Sequence, residues 1–96
     1  MILAVDIGNS NIVLGGMEGE RIVFEARMAT DLIKTSDQYR AELKSMLNLF
    51  EVDPAAIEGS IVSSVVPPLL NSFKTAIRKL TGKSCMIVGP GIRTGL

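Results

Sequence analysis

The residues best suited to chemistry stand near the start of the chain, in Asp6-Ile-Gly-Asn-Ser-Asn11. A carboxylate is followed by one glycine and three small polar residues. Gly8 gives a backbone that can reach φ > 0 and that a ligand can approach closely. Asn9 and Asn11 tolerate left-handed conformations, and Ser10 can hydrogen-bond locally. Successive N–H groups in such a turn can form a concavity for an anion such as phosphate. Asp6, at its mouth, is placed to hold Mg²⁺ directly or through water, because Mg²⁺ keeps several waters and takes one or two carboxylates beside substrate phosphates. The same residues also read as a plain turn, and local chemistry leaves both readings open.

The elements that must position this cluster can be read from the pattern around it. Ile2 to Val5 is a short apolar run, and Ile12, Val13 and Leu14 resume it after the turn. Two such runs bridged by Gly-Asn-Ser-Asn predict a β-hairpin, with strands at 2–7 and 12–17. Gly15 and Gly16 then mark a bulge or a close backbone approach. A turn centred on Gly19 follows. From Arg21 to Met28 the chain alternates, with Ile22, Phe24, Ala26 and Met28 on one face, which predicts a third strand of an antiparallel meander.

Thr35-x-x-Gln38 matches a capping box. Tyr39, Leu43, Met46, Leu47 and Phe50 follow at the spacing of one helix face, so a helix is expected at 36–50 with that stripe in the core. Asp53-Pro54 has the form of an N-cap and a first-turn proline, predicting one helical turn over 55–57. Ser60 to Val66 reads as a strand with Ile61 and Val62 buried, in a parallel, covered position. Pro67-Pro68 opens a second helix whose apolar face is Leu69, Leu70, Phe73, Ile77 and Leu80. Gly82 stops it. Ser84 to Val88 is a last short strand, in which Cys85 reads as a core thiol rather than a nucleophile. The order is βββ-α-β-α-β. Right-handed crossovers make strands four and five parallel to strand one. Asp6, Ser63-Ser64 and Gly89-Pro90-Gly91 then gather at one sheet edge, where open α/β sheets bind ligands. Ser63 reads as a small residue closing a strand; the roles of Ser64 and Arg93 stay open.

Composition narrows the class. The chain has 96 residues, 47% hydrophobic and 21% charged, which suits one folded domain with a modest core. Ten Lys and Arg balance ten Asp and Glu, so no basic footprint points to nucleic acid. The absence of His excludes imidazole triads and His-metal sites. A lone Cys85 excludes an internal disulfide and fits a reducing compartment. The apolar run before Asp6 is too short for a signal segment or a membrane span, so no membrane partner and a cytoplasmic location are expected.

Asp6-Ile-Gly-Asn-Ser-Asn11 resembles the phosphate-binding hairpin of the actin, sugar-kinase and Hsp70 superfamily. More narrowly, the chain resembles the N-terminal part of type III pantothenate kinases. The match continues in order through Arg27-Met-Ala-Thr-Asp31, Ser63-Ser-Val-Val-Pro-Pro68 and Val88-Gly-Pro-Gly-Ile-Arg-Thr-Gly95. The resemblance implies an α/β fold, the ribonuclease-H-like (actin-type) half domain, with a five-stranded mixed sheet of order 3-2-1-4-5 and covering helices. It implies phosphoryl transfer from ATP to pantothenate, the first committed step of coenzyme A synthesis, by a cytoplasmic homodimer using Mg²⁺ and a monovalent cation (K⁺ or NH₄⁺). The segment matching Asp6, Ile7, Gly8, Asn9, Ser10, Asn11, Ile12 and Val13 would contact the ATP phosphates, with Asp6 orienting the Mg²⁺–phosphate complex. Ser10 stands where the family more often has Thr and keeps the hydroxyl.

The family's general-base Asp, its pantothenate-contacting Tyr, its monovalent-cation site and its second actin-like half match nothing before Leu96. Residues 1–96 are therefore expected to be a single N-terminal half domain, without the second half, inactive alone and prone to self-association through exposed apolar surface. Some family members are described as accessory transcriptional activators. A regulatory protein without catalysis is thus the competing expectation, although the balanced charge argues against direct DNA contact. A structural hairpin with no ligand is a third.

Overall fold

The computed structural model describes residues 1–89. Strands β1 (Ile2–Ile7), β2 (Asn11–Glu18) and β3 (Arg21–Ala29) come first. Helix α1 (Ser36–Leu49), a 3₁₀ turn (Pro54–Ala56), β4 (Gly59–Ser64), helix α2 (Pro67–Thr81) and β5 (Met86–Val88) follow. They build one five-stranded sheet of order β3-β2-β1-β4-β5. β1–β2 and β2–β3 pair antiparallel, while β4 runs parallel to both β1 and β5. The expected meander, crossovers and strand order are all present.

Side-chain alternation assigns the two faces of the sheet. Leu3, Val5 and Ile7 of β1, Ile12 and Leu14 of β2, Phe24 and Met28 of β3 and Val62 of β4 enter one core. Tyr39, Leu43 and Leu47 of α1 and Leu69, Phe73, Ala76 and Ile77 of α2 complete it. Both helices therefore pack on the same face of the sheet. Tyr39 and Phe73, both fully buried, meet with ring centroids 4.7 Å apart where α1 crosses α2. Large apolar side chains buried like these are worth about 1.5–3 kcal/mol each, so this one layer carries most of the stability.

The helix ends follow the sequence signals. Thr35 Oγ1 accepts from Gln38 N–H at 3.2 Å, and Gln38 Oε1 accepts from Thr35 N–H at 2.8 Å, closing the capping box. Asp53 accepts from Ala55 N–H at 2.9 Å, but the turn it caps is 3₁₀ and ends at Ala56. Gly82 ends α2 in the left-handed conformation, φ 76°. Beyond α1, Glu51 takes φ 59°, a conformation usually left to glycine.

Four local expectations are corrected. Ile22 leaves the buried row and is 39% exposed, because the register steps from Gly16↔Phe24 to Met17↔Ile22 and leaves Val23 as the extra, bulged residue. Phe50 is the C-cap of α1 rather than core; it is 42% exposed and stacks on Phe24 at 5.0 Å. Strand β4 ends at Ser64, two residues early, where the Ser64 hydroxyl turns the chain. Ile61 is only half-buried, because among the described residues no helix covers its face of the sheet.

Candidate phosphate-binding hairpin at the carboxyl edge of the sheet

Asp6 is the penultimate residue of β1. It alternates with the buried Val5 and Ile7, so it points away from the helices, and it is exposed. Its neighbours across the ladders are Val13 of β2 and Ser63 of β4. It forms no ion pair among the described residues. An accessible carboxylate therefore stands beside the turn, as the sequence suggested.

The turn itself is built differently from the expectation. Positive φ among the glycines described occurs at Gly19 and Gly82, and among other residues at Glu51. Gly8, Asn9 and Asn11 are thus not left-handed. Gly8 is instead crowded: a Cβ there would sit 3.0 Å from the Asn11 carbonyl oxygen, closer than ordinary van der Waals contact. That oxygen accepts the Gly8 N–H at 2.9 Å, which closes the hairpin and removes Gly8 as a free donor. The N–H groups of Asn9 and Ser10 have no backbone or side-chain acceptor among the described residues, and both residues are exposed. Two adjacent free amides and an exposed carboxylate thus share one short hairpin, and turns with successive free N–H groups can bind anions. Ile7 and Ile12, by contrast, are fully buried and pair with each other at the base of the hairpin, and Val13 is half-buried. They support the turn rather than face it.

The back of the turn is tied down by a residue that local pattern does not single out. Thr30, just past β3, donates its hydroxyl to the Gly8 carbonyl at 2.7 Å and its N–H to the Ser10 carbonyl at 3.1 Å. Asp31 follows, and both its N–H and its C=O bond the phenol of Tyr39, at 3.0 and 2.6 Å. Its carboxylate accepts the Ile33 N–H at 2.9 Å and so closes its own turn. Lys34, farther along this linker, pairs with Glu42 of α1 at 2.6 Å and lies 5.5 Å from the Tyr39 ring centre. The hydrogen bond to Glu42 raises the Lys34 pKa above its ordinary 10.5.

The neighbouring strand ends converge as expected. Val65 N–H donates to the Ile7 carbonyl at 3.0 Å, and Ser63 pairs with both Asp6 and Val88. Ser64 Oγ accepts the Val66 N–H at 2.9 Å and donates to the Val66 carbonyl at 3.0 Å, so its hydroxyl shapes the entry to α2. Gly89 follows β5 at the same edge, whereas Pro90, Gly91 and Arg93 lie outside the described residues. Cys85 is half-buried against the core, and burial pushes its thiol pKa up, which lowers its reactivity. Two open grooves lie along α2, one lined by Lys74, Arg78 and Cys85 among others, one by Arg40, Lys44 and Lys79; neither includes a hairpin residue.

The sequence matches the family model for type III pantothenate kinase over residues 2–96. The chain belongs to the type III pantothenate kinase family. It is 44% identical over 96 residues to the type III pantothenate kinase of Syntrophotalea carbinolica and 46% identical over 96 residues to that of Bifidobacterium animalis subsp. lactis. Each match takes in 100% of this chain and 38% of the relative, so the chain spans well under half the length of these kinases. Among solved structures, the fold is similar to the ROK hexokinase of Thermus thermophilus, with a TM-score of 0.67 and 13% identity, covering 92% of this chain and 33% of that one. It is also similar to Thermus thermophilus RuvC, with a TM-score of 0.58 and 18% identity, covering 93% and 61%. These likenesses, with the observed strand order, show the ribonuclease-H-like, actin-type fold in this member of the pantothenate kinase family. No helix among the described residues is long and apolar enough to cross a membrane.

Proposed function

We propose that this chain is the N-terminal half domain of an ATP-dependent kinase that phosphorylates pantothenate in coenzyme A biosynthesis, and that the Asp6–Val13 segment holds the nucleotide phosphates. The observation that carries the reading is the pairing of an exposed, unpaired Asp6 carboxylate with the free Asn9 and Ser10 amides on one short hairpin. Membership of the family supports the substrate class. In the complete enzyme the reading includes Mg²⁺, a monovalent cation (K⁺ or NH₄⁺), a homodimer and the cytoplasm.

The residues present fit a hard divalent cation. Among the described residues no three His, Cys, Asp or Glu side chains converge, so the donor set is Asp6, water and phosphate oxygens, which suits Mg²⁺ rather than an all-protein cage. When bound, the ion neutralises charge on the transferring phosphoryl group. Asp6 orients that complex from the end of β1. The Asn9 and Ser10 amides and the Ser10 hydroxyl donate to phosphate oxygens. The buried pair Ile7 and Ile12 keeps the hairpin from shifting under them. This is positioning and charge stabilisation, the main demands of phosphoryl transfer. The Asp31 carboxylate is engaged with the Ile33 N–H and is not proposed as the base for the pantothenate hydroxyl. Residues 1–96 alone are proposed to bind nucleotide without turning it over.

Calorimetry with MgATP tests the reading. The parent chain is expected to bind, and Asp6→Ala to weaken binding by about 10- to 100-fold, the range for losing an interaction with a charged group. Equal affinity for both would remove Asp6 from the site.

A further inference from the structure

We infer that Thr30 is a positioning residue for the phosphate site, the catch that fixes the Gly8–Asn11 turn in its binding shape and links it to helix α1. The inference rests on the phosphate reading above and adds a residue outside the hairpin to it. Three observations carry it. First, Thr30 binds the turn twice, through its hydroxyl to Gly8 C=O and its N–H to Ser10 C=O. The two bonds hold the peptides on either side of the single Asn9–Ser10 peptide, and the Asn9 and Ser10 amides remain without a protein acceptor among the described residues. Second, no backbone torsion at Gly8, Asn9, Ser10 or Asn11 is left-handed. The turn therefore lacks the primed-turn geometry that makes short hairpins self-sufficient, and it depends on a partner outside itself. Third, Thr30 is itself held. The Tyr39 phenol accepts the Asp31 N–H, which is part of the peptide leaving Thr30, and donates to the Asp31 carbonyl, and the Tyr39 ring is fully buried against Phe73. The chain of contacts runs from the α1–α2 core through Tyr39, Asp31 and Thr30 to the turn.

An ordered turn binds an anion without first losing conformational freedom, whereas a loose one must be ordered by the ligand. Removing the Thr30 hydroxyl should thus weaken nucleotide binding although Thr30 does not itself present a donor to the phosphate. Thr30→Val keeps the shape and deletes the hydrogen bond to Gly8; Thr30→Ser keeps the hydroxyl and deletes only a methyl group. Both variants keep the Thr30 N–H bond to Ser10.

The test uses the 96-residue protein labelled with ¹⁵N and MgATP as the probe. Without nucleotide, the heteronuclear NOE of the Asn9 and Ser10 amides is expected to fall in Thr30→Val and to recover in Thr30→Ser, with the Gly19 amide unchanged in both. With MgATP, Thr30→Val is expected to bind about tenfold more weakly than the parent, and Thr30→Ser within about twofold of it. Tyr39→Phe, which frees the Asp31 N–H and C=O, should loosen the same amides in part. Parent-like turn dynamics or parent-like affinity in Thr30→Val overturns the inference, as does equal weakening by Val and Ser, which would mean a packing role. A parent that binds no MgATP overturns the phosphate reading and the assignment of Thr30 with it. Binding by the parent with no difference in Thr30→Val overturns the Thr30 assignment alone.

Discussion

The meander contains two hairpin turns, and they solve the same problem in opposite ways. Between β2 and β3, Gly19 and Glu20 reverse the chain with Gly19 at φ 61°, and a Cβ there would meet nothing within 4 Å. That turn is local: one left-handed glycine at the first central position matches the strand twist, and solvent surrounds it. Between β1 and β2, the turn has no left-handed residue. It is closed by a Gly8–Asn11 hydrogen bond and tied from behind by Thr30. A turn that only connects can rely on its own torsions. The β1–β2 turn instead relies on tertiary contacts that consume the Gly8 and Ser10 carbonyls, while the Asn9 and Ser10 amides stay without a protein acceptor among the described residues.

The largest expected difference between the two comes from placing the same side chain in each. Gly8→Ala pushes a methyl group onto the Asn11 carbonyl, 3.0 Å away, and is expected to displace the acceptor of the bond that closes the turn. It is expected to weaken MgATP binding by about tenfold, as loss of a well-placed hydrogen bond would. Gly19→Ala has room but a left-handed backbone, so it should cost about 1 kcal/mol of stability and leave affinity unchanged. Calorimetry and urea unfolding on both variants separate the two roles; equal effects on affinity would erase the distinction.

A smaller effect concerns the linker that carries Thr30. Lys34 has a higher pKa folded than unfolded because Glu42 accepts its hydrogen bond. The pair's contribution is therefore fully present below the ordinary value of 10.5 and is lost as pH rises through the folded pKa. The Lys34 and Glu42 side chains are 26% and 30% exposed, so solvent screening holds the contribution to about 1 kcal/mol or less. The thermal midpoint should fall more steeply at alkaline pH in the parent than in Glu42→Gln. Parallel curves would show that the pair adds nothing.

Much of this architecture was legible because it rests on local rules. Alternation marked the strands, the Thr35–Gln38 box and the Leu43–Leu47 stripe marked α1, and Pro67 and Gly82 bracketed α2. Asp6 was legible as a carboxylate ending an apolar strand. The features that escaped are those decided by distant parts of the chain. The sequence suggests Gly8 for its torsional freedom and for close ligand approach, yet its φ is ordinary and what crowds a side chain there is an oxygen three residues on. Ile22 fits the alternation of a buried row, and only the slipped register opposite Gly16 and Met17 turns it outward; Gly16, beside that slip, has no room for a Cβ against the Phe24 ring. Phe50 fitted the helical stripe but sits past the last turn, on Phe24. Thr30 stood in the Arg27–Asp31 block of the family resemblance, but nothing in the sequence gave its role, because that role exists only once β3 is paired beside the hairpin.

The most direct test of the central claim is a titration of the ¹⁵N-labelled protein with MgATP, followed through the backbone amides of both turns. The account predicts that Asn9 and Ser10 shift most, that residues next to Asp6 follow, and that Gly19 and Glu20 do not move. Saturable shifts centred instead on the Lys74–Arg78 groove of α2, or none at the β1–β2 turn, would contradict it.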